Sequence, residues 1–304
     1  MRKLKRRKPA RGICKATSLK WEVVMSFKTI LVPTEQHDLM PSTLETALVL
    51  ARRFESYIEG FALRPTTVDI LTMDFGSAMP VAEVKEYDMK VVKEARGVFE
   101  AFMQQRSVAR GEPASGAPAF GWLEDAPDGD GFVGSYGRVF DVTVLGRPGS
   151  GTRSPRMITL EASLFESGRP ALIAPPTPPQ RIGENILIAW NRSTEQARTT
   201  AFAMPLLRKA SRVTVLTVEG VTIIGPPGEQ LARYLRLNGI PAENINVNAG
   251  NRDAGEAIMS KAHSLGCHLL IKGAYTQSRL RQMIFGGPIR YLLANATLPV
   301  LMAH

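Results

Sequence analysis

Cysteine is nearly absent from this chain of 304 residues: Cys14 and Cys267 are the only two. That excludes a disulfide framework and points to a reducing cytoplasm. No apolar run approaches the roughly 18 residues that a membrane helix needs. Histidine is limited to four residues. His37, His263 and His304 have no second ligand at a metal-site spacing, and the adjacent Cys267 and His268 point to opposite faces of one strand, so no metal site is expected. Cys267 reads as a small buried hydrophobe. Gly-Lys-[Ser/Thr], the mark of a Walker A loop, is missing, as is the Gly-x-Ser-x-Gly elbow of a hydrolase nucleophile. The Ser-Gly-Gly-x-Asp-Ser loop of an adenylating pyrophosphatase is missing too. A Gly-x-Gly-x-x-Gly does occur at Gly129–Gly134, but Glu124–Asp128 precedes it where a dinucleotide fold needs a strand.

Acidic residues are scarce at one end only. Residues 1–24 hold nine basic side chains against Glu22 alone, which leaves +2 of the net charge of +10 for the other 280 residues. The body is therefore nearly neutral. The stretch lacks the apolar core of a secretory signal. It reads as a solvated tail, or as sequence upstream of a true start at Met25, and its Arg2–Lys8 cluster is the place where nucleic acid or an anionic membrane could bind by counterion release.

What is present is a repeat. Ile30-Leu31-Val32-Pro33-Thr34-Glu35 resembles Ile186-Leu187-Ile188-Ala189-Trp190-Asn191. Each apolar triplet runs into a polar turn and a helix. Ser42 with Glu45, and Ser193 with Gln196, have capping-box spacing. Leu44, Ala47, Leu48 and Ala51 make one apolar helix face, and Ala197, Ala201 and Met204 are expected to do the same until Pro205 kinks or ends that helix. Asp141–Gly146 matches His268–Gly273, each a short strand ending in glycine, followed by a basic loop, a helix, a proline and a last strand.

Short apolar strands without alternation predict a parallel sheet covered on both faces. Val213–Val218 and Asn246–Asn248 are the next strands of the second copy, and a helix over 254–265 turns Ala254, Ile258, Ala262 and Leu265 inward. Residues 111–137, with seven glycines, read as an irregular surface loop. Four prolines in Pro175–Pro179 form a stiff spacer and set the boundary. The organisation expected is a tail over 1–24, a first domain over 25–175, a linker over 176–180 and a second domain over 181–304.

The loop from Gly273 to Pro288 is the best candidate site. Glycines at both ends allow close backbone approach to a ligand, and a helix starting near Gly287-Pro288 offers amides to an anion. Ser278, Arg279 and Arg281 add phosphate donors. A strand-to-helix turn with a solvated basic rim is the alternative.

From Met25 to His304 the chain resembles a tandem universal stress protein, with two UspA-type domains in one polypeptide. The residues that carry the resemblance are Ile30–Glu35, Ile186–Ser193, Gly146–Gly149, Leu160–Pro170 and above all Gly273–Pro299. The resemblance implies two Rossmann-like α/β domains of the adenine nucleotide alpha hydrolase type. Each would be a five-stranded parallel sheet flanked by helices, and their last strands would pack together as a pseudo-dimer. It further implies a non-catalytic stress-response protein that binds ATP or another adenine nucleotide, with magnesium, in its second domain. The site residues would be Ala189, Trp190, Asn191, Val218, Gly273, Thr276, Ser278, Arg279, Gly286 and Gly287. The family's signature is Gly-x-x-Gly, nine residues, then Gly-[Ser/Thr], with an aspartate after the first strand. Here Thr276 replaces the second glycine, Gly287 the Ser/Thr, and Asn191 the aspartate. In the first domain Gly146-Arg147-Pro148-Gly149 keeps the opening, Thr159 or Met157 stands where the phosphate-binding end belongs, and Glu35 takes the aspartate's place.

Two other functions stand beside this one, and the departures favour the first. One is a scaffold that works without nucleotide, with Met283-Ile284-Phe285 as a contact. The other is a slow ATPase or phosphotransferase with Arg279 or Arg281 as charge stabiliser, for which the loop offers no carboxylate base. A homodimer is also expected from the near-neutral body and exposed strand edges.

Overall fold

The computed structural model describes residues 26–66, 81–114, 116–149, 153–274 and 287–304. The first half runs β1 (Thr29–Thr34), α1 (Met40–Phe54), β2 (Tyr57–Ala62), α2 (Val81–Gln105), β3 (Ala109–Arg110), β4 (Ala119–Leu123), α3 (Gly131–Tyr136), β5 (Val142–Gly146), α4 (Met157–Glu166) and β6 (Ala171–Ala174). The second runs β7 (Asn185–Ala189), α5 (Thr194–Phe202), α6 (Met204–Arg208), β8 (Arg212–Val218), α7 (Gly228–Leu237), β9 (Ala242–Val247), α8 (Ala254–Ser264), β10 (Leu269–Gly273), α9 (Gly287–Asn295) and β11 (Val300–Ala303). Among the described residues no helix is long and apolar enough to cross a membrane.

All the strands join one sheet in the order β3-β4-β2-β1-β5-β6-β11-β10-β7-β8-β9. Pairing is parallel within each half. Among the described residues the one antiparallel pairing joins β6 to β11, with Ile173 opposite Val300 and Leu172 opposite Leu301. The last strands of the two halves thus pair, and they make one continuous sheet rather than two packed ones. The first half has a sixth strand beyond the five expected. Ala109 and Arg110 pair with Ala119 and Phe120 at the sheet edge, and two residues are too few to show a period in sequence.

Alternation along the strands assigns the two faces. Ile30, Val32, Ile186, Ile188, Val213 and Val215 pack with Leu44, Leu48, Phe99, Leu206 and Leu235 of α1, α2, α6 and α7. Leu187, Ala189, Leu216 and Leu270 pack on the other face with Leu160, Ile258 and Leu292 of α4, α8 and α9. Leu31, Phe61 and Val133 form a smaller cluster under α3.

Several local expectations are corrected. Ser42 does not cap α1: Pro41 starts the helix from Met40, and the Ser42 hydroxyl donates instead to the Pro175 carbonyl at 2.6 Å. Ser193 does cap α5, accepting from the Gln196 amide at 3.1 Å. Ala197 and Ala201 are exposed, and the buried face of α5 is Gln196, Thr199 and Thr200. Two of these polar side chains serve strand ends, Thr199 donating to the Ala303 carbonyl and Gln196 accepting from Gly273, and Thr200 donates to the Gln196 carbonyl within the helix. Residues 111–137 are not an irregular loop. They contain β4, with Trp122 buried, and α3. Some of their glycines sit where other groups crowd: a β-carbon on Gly121 would fall 1.9 Å from the Tyr57 hydroxyl, and one on Gly134 2.6 Å from the Ala162 carbonyl. The third strand of the second half is Ala242–Val247, earlier than expected, and leaves Asn248 beyond its end. Cys267 is half-buried, and burial pushes its thiol up to about 11, so it is inert as a nucleophile at neutral pH.

Candidate functional site

In each half the strand order reverses between the first and fourth principal strands, which opens a crevice at their carboxyl ends. In the second half this switch point lies between β7 and β10. Ala189 and Trp190 are buried there, and Asn191 is half-buried. The Trp190 backbone N–H donates to Leu216, and its indole N–H donates to the Pro226 carbonyl at 2.9 Å. Asn191 turns the chain by accepting the Ser193 amide on Oδ1 at 3.3 Å. Val218, at the end of β8, is buried on the α8–α9 face.

Gly273 closes β10. Its N–H donates to Gln196 Oε1 at 2.7 Å, and a β-carbon there would stand 2.5 Å from the Gln196 backbone nitrogen. Only glycine allows the amino end of α5 to lie so close to the strand. Gly287 opens α9, within 3.0 Å (from a β-carbon position) of Asp253 Oδ2. The structure thus brings Ala189, Trp190, Asn191 and Gly273 to one crevice, with Val218 beside it. Thr276, Ser278, Arg279, Arg281, Met283–Phe285 and Gly286 lie outside the described residues.

Sequence reasoning missed Lys272. It lies in β10, 5% exposed, and its Nζ donates to the Gly273 carbonyl at 3.1 Å. Burial pushes its pKa down to about 8, opposed by the Glu195 carboxylate. Burial tends to raise Glu195, but its own backbone N–H, the Thr194 and Ser193 hydroxyls and His304 outweigh that and hold it below the ordinary range. The signal was available: a lysine inside Leu269-Leu270-Ile271-Lys272-Gly273, in a strand buried on both faces.

The first-half crevice, between β1 and β5, is filled. Arg156 reaches into it, with Nε 3.7 Å from Glu35 Oε2 and Nη1 3.2 Å from Asp130 Oδ2. Thr159 hydrogen-bonds Asp130. Burial pushes Glu35 up to about 7, with Arg156 opposing and Asp130 reinforcing. His37 lies alongside, pushed down to about 4 by burial and only partly restored by Asp38. A β-carbon on Gly146 would meet Pro155 at 2.5 Å and His37 at 3.1 Å. Among the described residues, no three His, Cys, Asp or Glu side chains converge as a metal site.

Comparison with solved structures finds the same fold. A universal stress protein from Archaeoglobus fulgidus DSM 4304 superposes with a TM-score of 0.66 at 16% identity, over 91% of this chain and 97% of that one. A functionally unknown protein from Pseudomonas aeruginosa PAO1 gives 0.48 at 14% identity, over 91% and 92%. The universal stress protein UspA from Lactobacillus plantarum gives 0.34 at 13% identity, over 41% of this chain and all of that one. No family model and no curated protein sequence matches the chain. The chain therefore has the fold of universal stress proteins, in a form that carries the α/β plan twice.

Proposed function

We propose that this chain is a stress-response protein without catalytic turnover, which binds ATP or another adenine nucleotide in its second half only. The observation that carries this reading is the contrast between the two switch points. Arg156, Pro155 and His37 fill the first, while Asn191, Gly273 and the amino end of α9 border the second. Asn191 takes the ribose, the adenine lies toward Val218, and the phosphates lie between Gly273 and α9. Magnesium accompanies the phosphates. Lys272 supplies a cation just beneath them, which compensates for Thr276 in place of a glycine. No carboxylate from Gly273 to Pro288 can serve as a base for hydrolysis, so binding rather than turnover is the role.

Calorimetric titration with ATP and magnesium tests this. Saturable heat is expected from the intact chain and none from a Gly273→Asp variant that remains folded by circular dichroism. No heat from the intact chain at ~1 mM nucleotide, a concentration that detects binding as weak as about −4 kcal/mol, would overturn it. Phosphate release matching that of the Gly273→Asp variant is expected, since a faster rate from the intact chain would make it an enzyme.

A further inference from the structure

The sheet ends on two edges that differ. At one, β3 is two residues long, which leaves almost nothing for another strand to pair with. At the other, β9 runs for six residues, Ala242–Val247, in unbroken register with β8. Proteins guard such an edge with lysine, proline, a bulge or a covering element. Ala242-Glu243-Asn244-Ile245-Asn246-Val247 has no lysine and no proline, and its pairing with β8 has no bulge. Its one charge, Glu243, is held by Arg212 at 2.5 Å.

The backbone shows which groups remain. The Val213 N–H donates to the Pro241 carbonyl, and the Glu219 N–H to the Val247 carbonyl. Along a strand, alternate residues turn both main-chain groups to the same neighbour. Glu243, Ile245 and Val247 therefore face β8, while Ala242, Asn244 and Asn246 turn theirs outward. The Ala242 carbonyl is taken by Arg236 Nη1 of α7, at 2.9 Å. Among the described residues the main-chain groups of Asn244 and Asn246 have no partner.

We propose that β9 pairs with β9 of a second copy of this chain, antiparallel, about a two-fold axis through Ile245. The strand is complementary to itself in that register. An axis perpendicular to the sheet keeps every side chain on its own face, so residues of like parity must oppose each other. With the Ala242 carbonyl committed, the pairing that uses both free residues sets Asn244 opposite Asn246 of the second copy. Each such pair exchanges both main-chain bonds. Ile245 then meets its own counterpart at the non-hydrogen-bonded position, with Cα atoms about 4.5 Å apart. Ile245 is only half-buried, at the margin of the core on the α8–α9 face. Pairing covers it and carries that apolar layer across the axis. The α7 flank above the edge does not repel a copy of itself, because Glu229 there is paired with Arg236 at 2.6 Å. β8 separates β9 from the β7–β10 switch point, so this interface stands independently of the nucleotide reading.

Sedimentation equilibrium of the full chain between ~1 μM and ~200 μM tests this. A dimer with a Kd below ~50 μM is expected. Asn246→Pro removes only an outward N–H, which the ladder to β8 does not use. It should keep the parent's circular dichroism and sediment as a monomer. Ile245→Lys sets like charges opposite each other on the axis and should weaken the dimer about tenfold or more. In a Cys14→Ser background, Ile245→Cys should cross-link to a covalent dimer on mild oxidation. Val247→Cys, which would face Glu243 of the second copy, should not. A monomer at every concentration would overturn the proposal. So would a dimer that Asn246→Pro and Ile245→Lys both leave intact, or one that cross-links through Val247→Cys and not through Ile245→Cys. If Asn246→Pro fails to fold, Ile245→Lys and the two cysteine variants decide the matter.

Discussion

The two halves share one strand order and one glycine at the end of the fourth principal strand, and differ in what faces that glycine. Opposite Gly146 the chain places Pro155 and His37, with Arg156 tying Glu35 to Asp130. Opposite Gly273 it places the backbone of Gln196, and no guanidinium from the described residues crosses the crevice. The same backbone plan thus serves in the first half as a closed, charged core, while in the second the described residues set the glycine against helix backbone. A fold fixes where a ligand could lie, and the side chains around the switch point decide whether there is room.

Adding one methyl group at each glycine gives the largest expected separation between the halves. Gly273→Ala drives a β-carbon into helix backbone at 2.5 Å, which cannot retreat without moving α5. We expect a loss of about 3 kcal/mol in denaturant unfolding, and loss of nucleotide binding. Gly146→Ala meets the Pro155 ring at the same 2.5 Å, but a loop proline can shift, and about 1 kcal/mol is expected. Equal losses would show that the two glycines are equivalent and that the halves do not differ in rigidity at this point.

Titration should separate the halves by the sign of its slope. Glu35 is raised by burial from 4.5 to about 7. Its contribution to stability is therefore fully present below pH 4.5 and lost as pH rises through 7. Glu35→Gln should remove that slope and stabilise the protein by about 2 kcal/mol at pH 8. Lys272 is lowered by burial from 10.5 to about 8. Its contribution is present above pH 10.5 and lost as pH falls through 8. Lys272→Met should therefore flatten that window, stabilise the unliganded protein by about 2 kcal/mol at pH 7, and weaken ATP binding about tenfold. Thermal melts of the three proteins from pH 4 to pH 10 would check both slopes. A Lys272→Met variant that binds ATP unchanged would remove this lysine from the phosphate site.

Much of this fold was legible in sequence because the repeat was. The duplicated triplets, the glycine-ended strands and the closing prolines locate β1, β7, β5, β10, β6 and β11. What sequence reasoning missed lies where tertiary contacts override local signals. Glycine-rich residues 111–137 look like loop, yet Gly121 is in a buried strand because a large side chain, Tyr57, takes its space. Gln196 and Thr199 are polar, yet they are buried to hydrogen-bond strand ends. At the candidate site, Gly273 was legible as the end of a short strand, and Asn191 came from the family resemblance. The closure of the first half by Arg156 was not visible, because its partners come from Glu35 and Asp130, distant in sequence. Lys272 was legible as the one charge inside an apolar run, and only its burial against the Gly273 carbonyl comes from tertiary packing.

The smallest expected effect tests the same pattern read twice. Ser42 and Ser193 both stand three residues before a Glu or Gln at a helix start, and each mutation to alanine should cost about 1 kcal/mol. Their substitutes should differ. Ser193 is a true cap with extended backbone, accepting an amide, so aspartate can replace it and the charge suits the helix amino end. Ser42 is 2% exposed inside α1 and donates to the Pro175 carbonyl. Aspartate there would bring a charge into the core with no proton to give that carbonyl. Ser193→Asp should therefore melt close to the parent, and Ser42→Asp well below Ser42→Ala. If both aspartates were tolerated, Ser42 would also be acting as a cap, and the bond to Pro175, which ties the segment between β6 and β7 to α1, would contribute little.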